Sequence, residues 1–163
     1  MTRVGVEAES VVYEESVRAL AQQRELLDGL RNRSGTLLAA ASVATAFLSG
    51  QALRGQAELD PLGWSAIVLF CVVVILAVSV LIPWRWTFAH HPHSLIGVHL
   101  ESLDPPRGWQ PSSLHEIYRD LSYWNGVHYD ENGRKLRVMF GLFGLACTAL
   151  AAEIVLWLIL LAR

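Results

Sequence analysis

The residues most able to bind a metal ion fall in one proline-rich stretch near the middle of the chain. It contains four histidines and a glutamate, namely His90, His91, His93, His99 and Glu101. Imidazole and carboxylate groups are zinc ligands, and imidazole also titrates near physiological pH. A structural zinc site needs a fixed tetrahedral set of ligands, however, and no cysteine accompanies these histidines. We therefore interpret residues 87–110 as a solvated loop, with a pH-sensing or metal-binding role as the alternative.

Other patterns that would indicate catalysis or ion binding are incomplete. Asp130, Glu131 and Asn132 offer oxygen ligands like those of a calcium loop. Arg134 and Lys135 follow them, however, and the ligand pattern of such a loop does not develop. The sequence has no glycine-rich phosphate loop, no Ser/His/Asp signature, and no HExxH or paired-cysteine spacing. We therefore expect a non-enzymatic protein with no catalytic residue, metal site or cofactor.

Three apolar runs are the elements that must position any remaining site. They cover residues 35–53, 62–83 and 138–161, and each is about long enough to cross a hydrocarbon core of roughly 30 Å. Charged residues make up only 17% of the chain, compared with about 25% in a typical globular domain. The net charge of −2 gives no reason to expect a nucleic-acid partner. We predict transmembrane helices at 35–55, 62–86 and 138–161.

The distribution of lysine and arginine orients these spans. Eleven of the 13 cations lie before the first run or between the second and third runs. The positive-inside rule therefore predicts a multi-pass protein of the inner membrane, with a cytoplasmic N-terminus and an external C-terminus. Tryptophans favour the headgroup level. We expect one set of residues near the span ends to be interface anchors: Trp64, Trp84, Arg85, Trp86 and Trp157.

Small residues form one face on the first and third runs. They are Gly35, Ala39, Ala46 and Gly50 on the first run, and Gly144, Thr148 and Ala152 on the third. Small residues allow two membrane helices to approach closely. We therefore expect the first and third spans to pack together, with the second span more exposed to lipid. A contact between copies of the chain through these faces is a further possibility.

One ionisable residue, Glu153, lies inside the third run. It is about 12 Å from the outer end of that run at 1.5 Å per residue. Ionisable groups at such depth usually face the interior of a helix bundle or a cavity. Thr45 lies at the matching depth on the first run, with Ser42 and Ser49 one turn to either side. We expect a protonated Glu153 bonded to one of these hydroxyls; the alternatives are a proton or ion pathway and a ring of glutamates in an oligomer.

The segments before the first and third runs, 1–34 and 111–137, have helical periodicity. Their predicted apolar faces comprise Tyr13, Val17, Leu20, Leu27 and Leu30, and Leu114, Ile117, Leu121 and Trp124. Gly126 and Gly133 are expected to kink or interrupt the second segment. Both segments lead outward into a span, so they must run parallel. The predicted fold is all-α: an integral membrane three-helix bundle whose two cytoplasmic amphipathic helices form a short stalk. The alternative, helices lying flat on the membrane, favours a more basic polar face.

Two segments of the chain carry a family resemblance. Residues 26–42, LLDGLRNRSGTLLAAAS, resemble the start of small membrane proteins from high-GC actinobacteria. Residues 129–132, YDEN, followed by KL at 135–136 and AEIVLW at 152–157, resemble their C-terminal half. The architecture is also similar to transmembrane effector domains of bacterial antiphage systems, the SLATT and Pycsar classes. That resemblance implies that a cyclic-nucleotide signal leads to membrane disruption, although no nucleotide-binding motif can be carried over to this chain.

These observations predict a non-enzymatic inner-membrane protein that self-associates and passes a cytoplasmic signal to the bilayer. The expected partners are the lipid bilayer and either a second copy or another membrane protein, and the signal itself is undefined. One alternative is a structural or scaffold subunit of an envelope complex. Another is a small channel or transporter subunit that uses Glu153.

Overall fold

The computed structural model describes residues 3–52, 60–88 and 113–162, with side chains described from residue 8 onward. These residues form three helices, α1 (Arg3–Ala52), α2 (Pro61–Leu81) and α3 (Leu114–Leu161), and contain no strand. The prediction of an all-α fold is confirmed for this part of the chain. Each of the three helices is long and apolar enough to cross a membrane.

The helix α1 is unbroken from the polar leader into the first apolar run, and α3 is unbroken into the third. The predicted boundaries at 34/35 and 137/138 therefore mark changes of composition and not ends of helices. Gly126 and Gly133 do not interrupt α3, contrary to expectation. A glycine costs a helix only about 1 kcal/mol relative to alanine, which packing offsets. At Gly133 an added Cβ would lie 3.5 Å from the side-chain nitrogen of Gln23, so the glycine permits a close approach.

The residues at the two ends of α2 explain where the helix begins and where it ends. Asp60 is the N-cap, its carboxylate accepts a hydrogen bond from the Gly63 amide at 2.9 Å, and Pro61 occupies the first turn. The helix ends at Leu81, so the prediction that it continues to residue 86 is wrong. Pro83 accounts for the difference, because a proline disfavours helical geometry at the preceding residue, and Ile82 is extended with ψ of 136°. Residues 83–88 are neither helix nor strand.

The chain divides into two compact units. The first unit combines Met1–Leu26 with Arg85–Lys135, and the second combines Leu27–Trp84 with Leu136–Arg163. Both α1 and α3 contribute residues to both units, whereas α2 belongs to the second alone.

In the first unit, α1 and α3 lie side by side and run parallel. The evidence is a set of side-chain contacts whose partners advance together along both helices: Glu9 with His115, Tyr13 with Tyr118, Ser16 with Asn125, and Gln23 with Tyr129. Leu20 and Leu121 are buried, as predicted. Val17, Leu114 and Trp124 are exposed, contrary to the predicted apolar faces.

Buried positions recur at a regular interval on both helices. On α3, six buried positions repeat every seven residues: Asn125, Asn132, Met139, Ala146, Glu153 and Leu160. On α1, the same interval separates Leu20, Leu27, Ser34 and Ala41. A seven-residue repeat keeps one seam of a helix facing its partner. Val17, Leu114 and Trp124 belong to neither series.

The second unit has a core at the C-terminal ends of α1 and α3. Residues of all three helices form it: Ala52, Ala66, Trp157 and Leu160, with Leu48, Leu62, Ile67 and Leu156 packed against them. The expectation that α2 is the most lipid-exposed span is wrong. The most apolar stretch of α2 is 22% buried, the same as in α3, compared with 11% in α1. Gly63, Ala66 and Ala77 are buried on one side of α2, where their small size permits close approach.

Candidate functional site

Glu153 is the central residue of the candidate site, in the second unit. It is one of the seven-residue series of buried positions on α3, and none of its surface is exposed. Its Oε1 accepts hydrogen bonds from the Thr45 hydroxyl of α1 and from the indole N–H of Trp157, the latter at 3.2 Å. Trp157 lies one turn further along α3, so the helix itself places this donor next to the carboxyl group.

Of the three hydroxyls at the predicted depth, Thr45 alone contacts Glu153 in the described structure. The Ser42 hydroxyl donates to the Leu38 carbonyl at 2.9 Å, and the Ser49 hydroxyl donates to the Ala46 carbonyl. These are bonds within α1.

The second carboxyl oxygen, Oε2 of Glu153, is buried and has no hydrogen-bond partner among the described residues. No lysine, arginine or histidine of the described residues forms an ion pair with this carboxyl group. Burial of an ionisable group without a charged partner is costly. Chemically, the site offers two different oxygens. Oε1 accepts two hydrogen bonds and links α1 to α3. Oε2 is available to a proton or another small species.

The small residues expected to join the first and third spans do not contact the opposite helix. Six of the seven are exposed on the single chain or have open space beside them: Ala39, Ala46, Gly50, Gly144, Thr148 and Ala152. The seventh, Gly35, is half-buried, and an added Cβ there would meet nothing within 4 Å. The prediction that these faces join the two spans within one chain is therefore wrong. Ala41 and Ala146 are the small residues buried in each helix, because they belong to the seven-residue series.

The predicted interface tryptophans differ in their surroundings. Trp64 is 58% exposed near the start of α2, and its role as an interface anchor stays a prediction. Trp157 is fully buried, so its assignment as an interface anchor is wrong. Its ring packs in the core with Ala52 of α1 and Ala66 of α2. The short side chains of these two alanines leave room for the ring.

The remaining anchors lie in the segment that follows α2. In the second unit the Trp84 indole N–H donates to the Ser79 carbonyl at 3.1 Å. In the first unit Lys135 donates to the Arg85 carbonyl at 2.8 Å, and its ammonium group lies 5.9 Å from the centre of the Trp86 ring. The Arg85 side chain is exposed. Lys135 of α3 therefore holds the non-helical segment after α2 by a hydrogen bond to the backbone of that segment.

Buried amides of the first unit were missed in the sequence. Gln23 and Asn132 donate to the backbone carbonyls of Tyr129 and Thr87, each at 2.9 Å, and Asn125 donates to the Ser16 hydroxyl at 2.9 Å. All three amides are at least 95% buried. The spacing could have indicated two of them, because Asn125 and Asn132 precede Glu153 by multiples of seven residues.

No group of three potential metal ligands occurs in the described ranges. The histidine cluster at 90–99 and Glu101 lie outside those ranges. His115, in the first unit, pairs through Nδ1 with the Glu9 carboxylate of α1.

Among the titratable groups of the described residues outside the apolar runs, Glu116 at the start of α3 has a clearly shifted pKa. Ser113 and Glu116 form a capping box. The Ser113 backbone N–H donates to Glu116 at 2.8 Å and its hydroxyl donates at 2.9 Å. These two hydrogen bonds stabilise the ionised form and hold the pKa of Glu116 below its ordinary value.

Comparison of the chain with protein-family models, with curated proteins and with solved structures found no match.

Proposed function

We propose that this chain is a non-enzymatic three-span protein of the inner membrane that self-associates and transmits a cytoplasmic signal to the bilayer. In this proposal the N-terminus is cytoplasmic and the C-terminus is outside. The observation that carries the proposal is the continuity of α1 and α3, each of which is one helix through its polar and its apolar part. The polar and apolar parts of each helix therefore belong to one hydrogen-bonded element, along which a change imposed on the polar part can pass.

The contacts of the first unit support the same role. α1 and α3 run parallel there and are joined by buried hydrogen bonds through Gln23 and Asn125. In the second unit the same two helices are joined through Thr45 and Glu153. Buried polar pairs fix the register of packed helices at some cost in stability, so a ligand acting on the polar parts would act on a defined pair of helices.

Self-association is supported by the small residues that are exposed on the single chain. Ala46 and Gly50 on α1, and Gly144, Thr148 and Ala152 on α3, present small exposed faces in the apolar runs. Close approach of such faces is a principal source of helix association in membranes. A second copy of the chain is the partner that supplies matching faces on both helices.

The experiment is forced association in cells. An inducible dimerising domain fused to the N-terminus should depolarise the membrane when the dimeriser is added, as reported by a potential-sensitive dye. Ala46→Leu should weaken the response by filling the small face, whereas Val43→Leu, at an exposed position that is already large, should leave it unchanged.

Two outcomes would contradict the proposal. A protein that reaches the membrane but leaves the potential unchanged, and that co-purifies with a different membrane protein, is a scaffold subunit. A C-terminal tag that resists external protease in intact spheroplasts would refute the orientation.

A channel or transporter subunit is the second candidate, and the unpartnered Oε2 of Glu153 favours it. Purified protein in liposomes should then conduct protons or small cations, and Glu153→Gln should abolish the conductance. Thr45→Val is the matched control, because it removes a hydrogen bond to the carboxyl group but retains the acid. If Glu153→Gln preserves conductance and assembly, a proton-carrying role is excluded.

A further inference from the structure

The second unit contains an open groove of about 340 Å³ on the surface of α1 and α3. Its lining residues are Asn32, Arg33, Thr36, Leu37, Ala40 and Phe143. The groove is separate from Glu153 and from the buried core of the unit, and no part of the proposed signalling role uses it.

The polarity of the groove changes along α1. Asn32, Arg33 and Thr36 line one end, and Leu37 and Ala40 line the other, with Phe143 contributed by α3. At 1.5 Å per residue the distance along the helix from Arg33 to Ala40 is about 10 Å. The polar end lies at the start of the first apolar run. In the proposed orientation this is the level of the inner headgroups, and the apolar end lies at the level of the acyl chains.

The polar end has hydrogen-bond donors and a positive charge, and no acidic residue lines the groove. Arg33 is exposed and forms no hydrogen bond or ion pair within the part of the chain that the structure describes. The Thr36 hydroxyl donates to the Asn32 backbone carbonyl at 3.1 Å, and the side chains of Asn32 and Arg33 are both exposed at this end of the groove. A planar guanidinium group next to an amide donor suits the oxygens of a phosphate.

We propose that this groove binds an anionic glycerophospholipid. Its phosphate contacts Arg33 and Asn32, and one acyl chain lies along Leu37, Ala40 and Phe143. Charge complementarity selects an anion, and the adjoining apolar wall selects a lipid over a free phosphate, which would leave that wall uncovered. The inference rests on the proposed insertion in a membrane but not on the signalling role.

The test uses the full chain, purified in detergent and titrated with phosphatidylglycerol or with phosphatidylcholine of the same acyl chains. Native mass spectrometry counts the lipids retained. A charge-assisted hydrogen bond contributes enough for phosphatidylglycerol to be retained roughly tenfold more strongly. Arg33→Gln should reduce its retention to the level of phosphatidylcholine. Arg24→Gln is the matched control, because Arg24 is an exposed arginine of the same helix outside the groove.

A second variant and a soluble ligand separate the two ends of the groove. Ala40→Phe should fill the apolar end and weaken the retention of both lipids. Glycerol phosphate should not displace phosphatidylglycerol at equal concentration. Equal retention of the two lipids by the unmodified chain, or an Arg33→Gln variant that still prefers phosphatidylglycerol, overturns the inference. Displacement by glycerol phosphate overturns it in favour of a soluble anion. A chain that sediments with membranes but lacks this selectivity refutes the groove alone and leaves the proposed function standing.

Discussion

Replacing Thr45 with valine is the sharpest test of the contact between α1 and α3 in the second unit. The substitution preserves the shape of the side chain and removes the hydroxyl that donates to Glu153. Trp157 then remains the one described donor to the carboxyl group. Hydrogen bonds between membrane helices contribute about 0.6 kcal/mol on average and about 1.7 at most. Glu153 is fully buried and already has one oxygen without a partner, so we expect a loss of about 1.5 kcal/mol in the free energy of unfolding.

Reversible unfolding of the purified chain in mixed detergent and dodecyl sulfate micelles, followed by circular dichroism, would measure this loss. It corresponds to roughly a tenfold decrease in the ratio of folded to unfolded protein. Ser42→Ala and Ser49→Ala are matched controls, because both hydroxyls bond within α1. Each control should change the free energy by less than about 0.5 kcal/mol.

A double-mutant cycle isolates the contact itself. In a Glu153→Met background no carboxyl oxygen remains to accept the hydroxyl, so Thr45→Val should cost less than about 0.5 kcal/mol there. Equal costs of Thr45→Val in the two backgrounds would mean that the hydroxyl acts elsewhere. A cost no larger than that of Ser42→Ala would refute the assignment of Thr45 as the partner of Glu153.

Three further predictions concern the first unit. Gln23→Leu removes a buried oxygen that lacks a hydrogen-bond partner, so it should raise the free energy of unfolding by about 1 kcal/mol, whereas the exposed Gln22→Leu should not; a decrease on Gln23→Leu would show that its bond to α3 outweighs the unsatisfied oxygen. Lys135→Met removes the bond to the backbone of residue 85 and should speed limited proteolysis of the segment after α2; an unchanged rate contradicts that anchoring role. The pKa of Glu116 is lowered in the folded chain, so its stabilising effect on the first turn of α3 is present above the ordinary pKa and is lost as the pH falls below it. Amide exchange should show this loss, and Ser113→Ala should remove it.

Hydropathy predicted the three apolar helices because an apolar side chain contributes to the hydropathy of a run in the same way at every position. Counting depth indicated Thr45 as a partner of Glu153 because both helices run parallel with the same rise per residue. The helix ends were harder to predict. The polar leader changes to an apolar run near Gly35, but a change of environment does not require a change of backbone, and α1 continues through it. The end of α2 was different, because Pro83 imposes a local geometry that composition does not.

Packing partners were the least predictable feature. Trp157 stands near the end of a run, where tryptophans often contact headgroups, but short residues of α1 and α2 leave space that its ring fills. The small residues Ala39 and Ala46 show which face of α1 could approach another helix, and not which face does. That choice depends on the seven-residue spacing of the buried positions. A search for apolar repeats misses this series of buried positions, because two of its members, Asn125 and Asn132, are polar.

The same spacing limits the way in which a signal could pass along these helices. Sliding α3 along α1 by one repeat would restore an apolar seam but displace each side chain by about 10.5 Å. Asn125 would lose Ser16 in the first unit, and Glu153 would lose Thr45 in the second. Each buried polar group left without a partner costs about 1–3 kcal/mol. Since the polar pairs occur in both units, sliding carries that cost in each of them. A small rotation of the helices can be divided among small changes at successive contacts, so under the proposed function we expect a signal to act by rotation and not by sliding.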